Sequence, residues 1–296
     1  MTRVRTERDI VYRHAVVGYN KGEGPTETIP LKLDAYFPVA AETPTAAVVL
    51  AHGGVFHRGS KDLDAFSAGM GTNTSIAEYC RRIAALGITA FSVEYRLAQM
   101  DPKPSCSPVL AHPSEAPISR VSVLREELDL PPIAPRDMAR FMEAAFDDVA
   151  EAVLFVKANH REYQLDPERI VVGGFSAGGR CASYAAYGKR IGVAGVVSIS
   201  GPMLPADAET YLASAPEGFS QPPLLMFYAE HDLDYVRNFS PELERLFLAY
   251  GQEVKSIFVP GENHFYSDET HTDDGRSVFD VMHESIMRWV RRPVIN

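Results

Sequence analysis

Hydrophobic and polar positions alternate or run in blocks along this chain, and the blocks change period as it proceeds. "IVYRHAVVGY" and "IPLKLDAYFP" read as strands, and the Gly/Pro-rich "NKGEGPTE" between them predicts an antiparallel pair. "TAAVVLAHGG" is a short continuous apolar run, the pattern of a strand covered on both faces. "SIAEYCRRIAALG" then shows helical spacing and stops at Gly87. From there strands and helices alternate. "ITAFSVEYR", "ERIVVGGFS", "VAGVVSIS", "PPLLMFYAE" and "VKSIFVP" are the strands. "FMEAAFDDVAEAVLFVKANHREY", "AGGRCASYAAYGKR", "SPELERLFLAYG" and "SVFDVMHESIMRWVRR" are the helices. Such alternation predicts βαβ units and an α/β fold: one mostly parallel sheet of about eight strands with helices on both faces. No repeat of solenoid length interrupts it.

One segment breaks the rhythm. Between about residues 97 and 140 lie "DPKPSCSPVLAHPSEAP" and "DLPPIAPRD", rich in proline. A connection of that length inside a compact domain commonly serves as a lid or a pocket wall. The expectation is a single domain over 1–296 carrying this lid-like insert.

Composition narrows the classes. An apolar fraction of 46% over 296 residues supports one large core. The net charge of -10 argues against a nucleic-acid or anionic-membrane partner. "MTRVRTERDI" has no apolar stretch of the secretory kind, and no run is long enough to span a bilayer. Cys80, Cys106 and Cys181 are odd in number and lack metal spacing, so a cytoplasmic setting without a disulfide framework is expected.

The chemistry concentrates at strand ends. Gly174-Phe175-Ser176-Ala177-Gly178 fits G-x-S-x-G, follows an apolar strand and precedes a helix. That context is what a nucleophile elbow needs: a sharp turn that lifts the Ser176 hydroxyl above the sheet. The Ala177 amide would then face a developing oxyanion. "HGGVFHRGS" (52–60) ends another strand, and its paired glycines let amides approach a ligand closely. "EHDLDYV" places Asp232 and Asp234 past a strand end, with Asp232 nearer the strand. "ENHF" places His264 in the loop after the last strand, while His231 sits beside the acid and His271 lies farther downstream. The order Ser176, Asp232, His264 satisfies the chain order of a serine triad on this architecture. The remaining histidines, His14, His57, His112, His160 and His283, read as surface or packing residues.

On these residues the chain resembles α/β-hydrolases of the esterase/lipase type, related to hormone-sensitive lipase and bacterial carboxylesterases. "HGGVFHRGS", "VEYRLA", "AFDDVAEAVLFVKANHREYQLDPERIVVGGFSAGG", "EHDLDYV" and "ENHF" carry the resemblance over nearly the whole chain. It implies Ser176, Asp232 and His264 as catalytic residues, and the amides of Gly54, Val55 and Ala177 as an oxyanion hole. It implies cleavage of a carboxylic ester of small or medium acyl group through an acyl-enzyme, with no metal or organic cofactor. Two features depart from the pattern. Val55 stands where many relatives have a third glycine, and the Pro-rich insert replaces a much shorter connection. An amide hydrolase and a carbon–carbon bond hydrolase would use the same triad. A non-catalytic ligand-binding protein on this fold would usually have lost one of its members. A homodimer paired through an edge strand or the last helix is compatible with the pattern, which gives no direct sign of one.

Overall fold

The computed structural model describes residues 3–39, 44–69, 71–216 and 221–291. Ten strands and seven helices follow in chain order among them. β1 (Val4–Val17) and β2 (Glu27–Pro38) form the antiparallel pair at the start, joined through a tight turn at Asn20–Gly22. β3 (Thr45–Ala51) enters the centre of the sheet. A small ribbon, β4 (Ser67–Ala68) and β5 (Gly71–Thr72), precedes α1 (Ile76–Ala85) and β6 (Thr89–Val93). α2 (Ser119–Glu127) and α3 (Pro135–Ala158) lead into β7 (Leu165–Phe175) and α4 (Ala177–Ser183), which continues as a wider turn over Tyr184–Gly188. β8 (Gly195–Ile199), α5 (Pro205–Ala213), β9 (Leu224–His231), α6 (Asp234–Ala249), β10 (Val254–Asn263) and α7 (Val278–Val290) complete the chain. Arg292, at the end of the last predicted helix, lies outside the described residues, as do Met1 and Thr2.

Eight strands make one sheet in the order β1-β2-β6-β3-β7-β8-β9-β10. β1, β2 and β6 pair antiparallel, and every pair from β6 through β3 to β10 is parallel. β3 shows why its sequence is apolar throughout. Ala47, Val49 and Ala51 pack into one core and Val48 and Leu50 into the other, as side chains alternate across a sheet buried on both faces. α1 and α7 cover the second core, and α3 to α6 cover the first. Trp289 of α7 lies so close over β8 that a Cβ at Gly195 would stand 2.1 Å from its ring.

The insert is more ordered than its prolines suggest. The expectation of an irregular stretch from 97 to 140 is corrected by α2, and by α3, which begins at Pro135 rather than Phe141. Pro135 is a favourable first helical residue because that position has no amide partner to lose. The first half of the insert is held by buried carboxylates. Glu143 accepts from the Val109 and Leu110 amides, and Asp207 accepts from those of Ala111 and His112. Just before it, Arg96 and Arg13 converge on buried Asp148.

Candidate active site

The residues singled out at strand ends meet above the C-terminal edge of the sheet, where open parallel sheets place their ligand sites. Ser176 follows β7, Asp232 follows β9 and His264 follows β10. Ser176 takes φ 53° and ψ -114°, a conformation rarely held by a residue with a side chain. The turn persists because its surroundings fix it. The Ser176 amide donates to the Ile199 carbonyl at 2.7 Å, and the glycines around it allow backbones to touch. A Cβ at Gly178 would sit 1.9 Å from the Ala51 carbonyl oxygen.

Ser176, His264 and Asp232 form a continuous hydrogen-bonded chain. His264 Nε2 lies 2.9 Å from Ser176 Oγ, and His264 Nδ1 lies 2.6 Å from Asp232 Oδ1. All three are buried. With Nδ1–H donating to the carboxylate, Nε2 is left to accept the serine proton. The alternatives separate cleanly. Asp234 is exposed and pairs with Arg237, while His231 and His271 are exposed and stand outside this chain of bonds.

Asp232 is more firmly held than the sequence foretold. Its Oδ1 also accepts from the Leu233 amide at 2.8 Å. Its Oδ2 accepts from the Ser200 hydroxyl at 2.5 Å and the Ala229 amide at 3.2 Å. Ser200 in turn bonds the Tyr266 hydroxyl at 2.9 Å. Four donors thus fix the carboxylate, two of them within the turn that carries it. Ser200 and Tyr266 escaped sequence reasoning; a hydroxyl just past a strand end in "VVSIS" was the one available hint.

The loop after β3 borders the serine. Gly54, Val55 and Phe56 all take positive φ, at 113°, 58° and 60°, so the chain coils tightly here. The amides of Gly54, Val55 and Ala177 have no protein acceptor among the described residues. Two histidines brace this loop. His52 stacks on Tyr95 with ring centres 4.1 Å apart and bonds the Gly53 carbonyl. Burial pushes its pKa down to about 4, against a smaller opposing effect of that carbonyl, so it stays neutral. His57, read from the sequence as a surface or packing residue, is buried and donates from Nδ1 to the Val55 carbonyl at 2.8 Å. Its Nε2 accepts from Arg125 of α2 at 3.0 Å, which ties the insert to the loop. Burial, and after it the charge of Arg125, lowers its pKa.

A narrow cleft runs from Ser176 beneath the insert, lined by Val55, Phe56, Pro117, Arg120, Val121 and Tyr235 among others. Its free volume is about 20 Å³, room for roughly one water. Among the described residues no cluster of His, Cys, Asp and Glu could hold a metal ion. No helix among them is long and apolar enough to cross a membrane.

Comparison with known proteins agrees with this architecture. Residues 137–196 match the model of the BD-FAE family, an esterase family of hormone-sensitive-lipase-like α/β-hydrolases. No curated protein sequence matches the chain. Among solved structures, a truncated carbohydrate esterase from gut microbiota superposes with a TM-score of 0.58 at 16% identity, covering 97% of each chain. A bacterial heroin esterase gives 0.56 at 17%, covering 98% of this chain and 84% of its own. Esterase 2 of Thermogutta terrifontis gives 0.55 at 16%, with 96% and 91% covered. The protein therefore has the α/β-hydrolase fold. The resemblance drawn from its motifs holds in sequence over residues 137–196 and in fold over nearly the whole chain.

Proposed function

We propose that the protein is a serine hydrolase that cleaves carboxylic esters of small or medium acyl group. The hydrogen-bonded chain Ser176–His264–Asp232 carries this reading, because it joins a nucleophile, a base and an orienting acid in the required order. Ser176 Oγ attacks the ester carbonyl carbon while His264 Nε2 takes the hydroxyl proton. The carbonyl oxygen becomes an oxyanion, held by the free amides of Gly54, Val55 and Ala177. One such donor is typically worth about 3 kcal/mol of barrier. Collapse breaks the bond to the alkoxy oxygen, and His264 returns the proton so that an alcohol leaves. Water then attacks the acyl-serine by the same steps, releasing the acid and restoring Ser176. Asp232 keeps the imidazole in its productive tautomer and stabilises the imidazolium between transfers. The narrowness of the cleft at Val55 favours the smaller acyl groups.

The test is hydrolysis of p-nitrophenyl esters from acetate to octanoate by wild type and Ser176→Ala. Turnover of the short esters, lost in Ser176→Ala at unchanged Tm, is the expected result. Full activity in Ser176→Ala would overturn the triad. Labelling of Ser176 by a fluorophosphonate without ester turnover would overturn the ester reading and favour an amide or carbon–carbon bond.

A further inference from the structure

Arg180 lies in the first turn of α4, four residues after Ser176, with its amide bonded to the Ser176 carbonyl at 3.1 Å. Arg180 lines the same cleft as Ser176. It is 4% exposed. Only its Nε has a protein partner, the Pro202 carbonyl at 3.0 Å, and Nη2 is buried without one. The guanidinium rests over the Tyr235 ring at 4.9 Å, but no carboxylate forms an ion pair with it among the described residues. Asp232, the acid of the site, already receives four donors.

Arg96 shows what a structural arginine looks like in this protein. It is equally buried, yet its Nε bonds Asp148 and its terminal nitrogens bond the Val16, Lys103 and Ala144 carbonyls. Arg180 lacks that satisfaction, and an unpaired buried charge is costly. A second cation lines the same cleft: Arg120 of α2, which also has no carboxylate partner among the described residues. Burial, and after it the charge of Arg120, lowers the pKa of neighbouring Arg58. A chain of net charge -10 thus gathers, beside its candidate nucleophile, arginines that form no ion pair among the described residues.

We propose that Arg180, joined by Arg120, forms an anion subsite, and that the substrate is an ester bearing a free carboxylate a few bonds from the scissile carbonyl. The planar fork of a guanidinium matches a carboxylate in two parallel hydrogen bonds, and a desolvated cleft strengthens both. The subsite deepens the ester-hydrolase reading of Ser176 and rests on it for the bond that is cleaved. The carboxylate sits on either the acyl or the alcohol side, and each side has its own probe.

The experiment compares kcat/KM for monomethyl glutarate with methyl pentanoate, and for 3-acetoxypropanoate with its methyl ester. Wild type is expected to favour the charged member of at least one pair by roughly 10- to 100-fold, the range of a charged hydrogen-bonded contact. The ratio should fall to about one in Arg180→Gln. Should Arg180→Gln fail to fold, Arg120→Gln on the half-exposed insert helix reads the same ratio, with a smaller fall expected. Wild type favouring the neutral member of both pairs would overturn the subsite. A second readout stands apart from ester turnover: protection of Ser176 from fluorophosphonate labelling. Glutarate should protect wild type and not Arg180→Gln, whereas uncharged glutaramide should protect neither. Protection without ester turnover would keep the subsite and overturn only the ester reading. No protection of wild type by glutarate would overturn the subsite.

Discussion

Asp64 offers the sharpest energetic test of how the site is built. It is fully buried between the β3 loop and α1, accepting from the Gly53 amide at 3.3 Å and the Ile76 amide at 2.9 Å. Desolvation outweighs these two bonds and pushes its pKa up to about 7, from an ordinary 3.8. The folded state therefore binds this proton more tightly than the unfolded chain. The resulting stabilisation is fully present below about pH 4 and is lost as pH rises through about 7. At about 1.4 kcal/mol per tenfold change in proton affinity, the ionised folded state is disfavoured by about 4 kcal/mol. Asp64→Asn removes the titration and keeps the shape. Its stability relative to wild type should therefore improve by up to about 4 kcal/mol between pH 4 and pH 7.5. The absolute offset also includes the Asn amide's unmet donors, so the change with pH is the diagnostic quantity. Neighbouring His52 has the opposite sign: its contribution is present above 6.5 and lost as pH falls through about 4. His52 is common to both proteins and cancels in the difference. Urea unfolding at several pH values, followed by fluorescence of the single, buried Trp289, measures that difference. A difference constant to within about 1 kcal/mol would refute the claim that burial dominates the two amide bonds.

Two further substitutions probe the scaffold of the triad. Gly178→Ala would drive a Cβ to 1.9 Å from the Ala51 carbonyl, a backbone atom that cannot step aside. It should lower stability by about 1–3 kcal/mol and reduce kcat, and an unchanged Tm would show that the elbow is looser than described. Ser200→Ala removes the 2.5 Å donor to Asp232 Oδ2. Loss of a hydrogen bond to a charged group should cut kcat by roughly tenfold or more with little change in KM. Unchanged kcat would mean that the three remaining donors fix the carboxylate alone.

The parts legible in the sequence were those written in short range. A strand, a turn of small residues and a helix occupy one continuous stretch around Ser176, and their joint pattern forces the elbow. Asp232 and His264 were legible because each directly follows an apolar strand of the parallel set. The order β2-β6-β3 was not legible, because which strand enters between two others depends on packing of distant segments. α2 was hidden by composition. "SRVSVLREE" buries only Val121 and Leu124, so no apolar stripe marks it among the prolines. Ser200, Tyr266 and Arg180 were invisible for another reason. Ser200 meets Asp232 across 32 residues, and a hydroxyl or guanidinium carries no periodicity that announces its partner.

The insert shows how the same physics divides one segment into two roles. Residues 109–112 give their amides to Glu143 and Asp207, carboxylates that burial drives above their ordinary pKa. Tyr211 and Tyr184 extend that network through the Val109 carbonyl and Asp207. A backbone tied to buried acids cannot leave without exposing unpaired donors and acceptors together, so this half belongs to the core. The second half is attached differently. α2 buries two side chains, and among the described residues its one hydrogen bond to the loop after β3 is that of Arg125 with His57. Its Arg120 and Val121 line the narrow cleft beside Ser176. α2 is thus the more loosely tied half of the insert. His57 joins α2 to the loop after β3, because its Nε2 accepts from Arg125 of α2 while its Nδ1 donates to the Val55 carbonyl, so the position of α2 and the shape of the proposed oxyanion hole are linked through one imidazole.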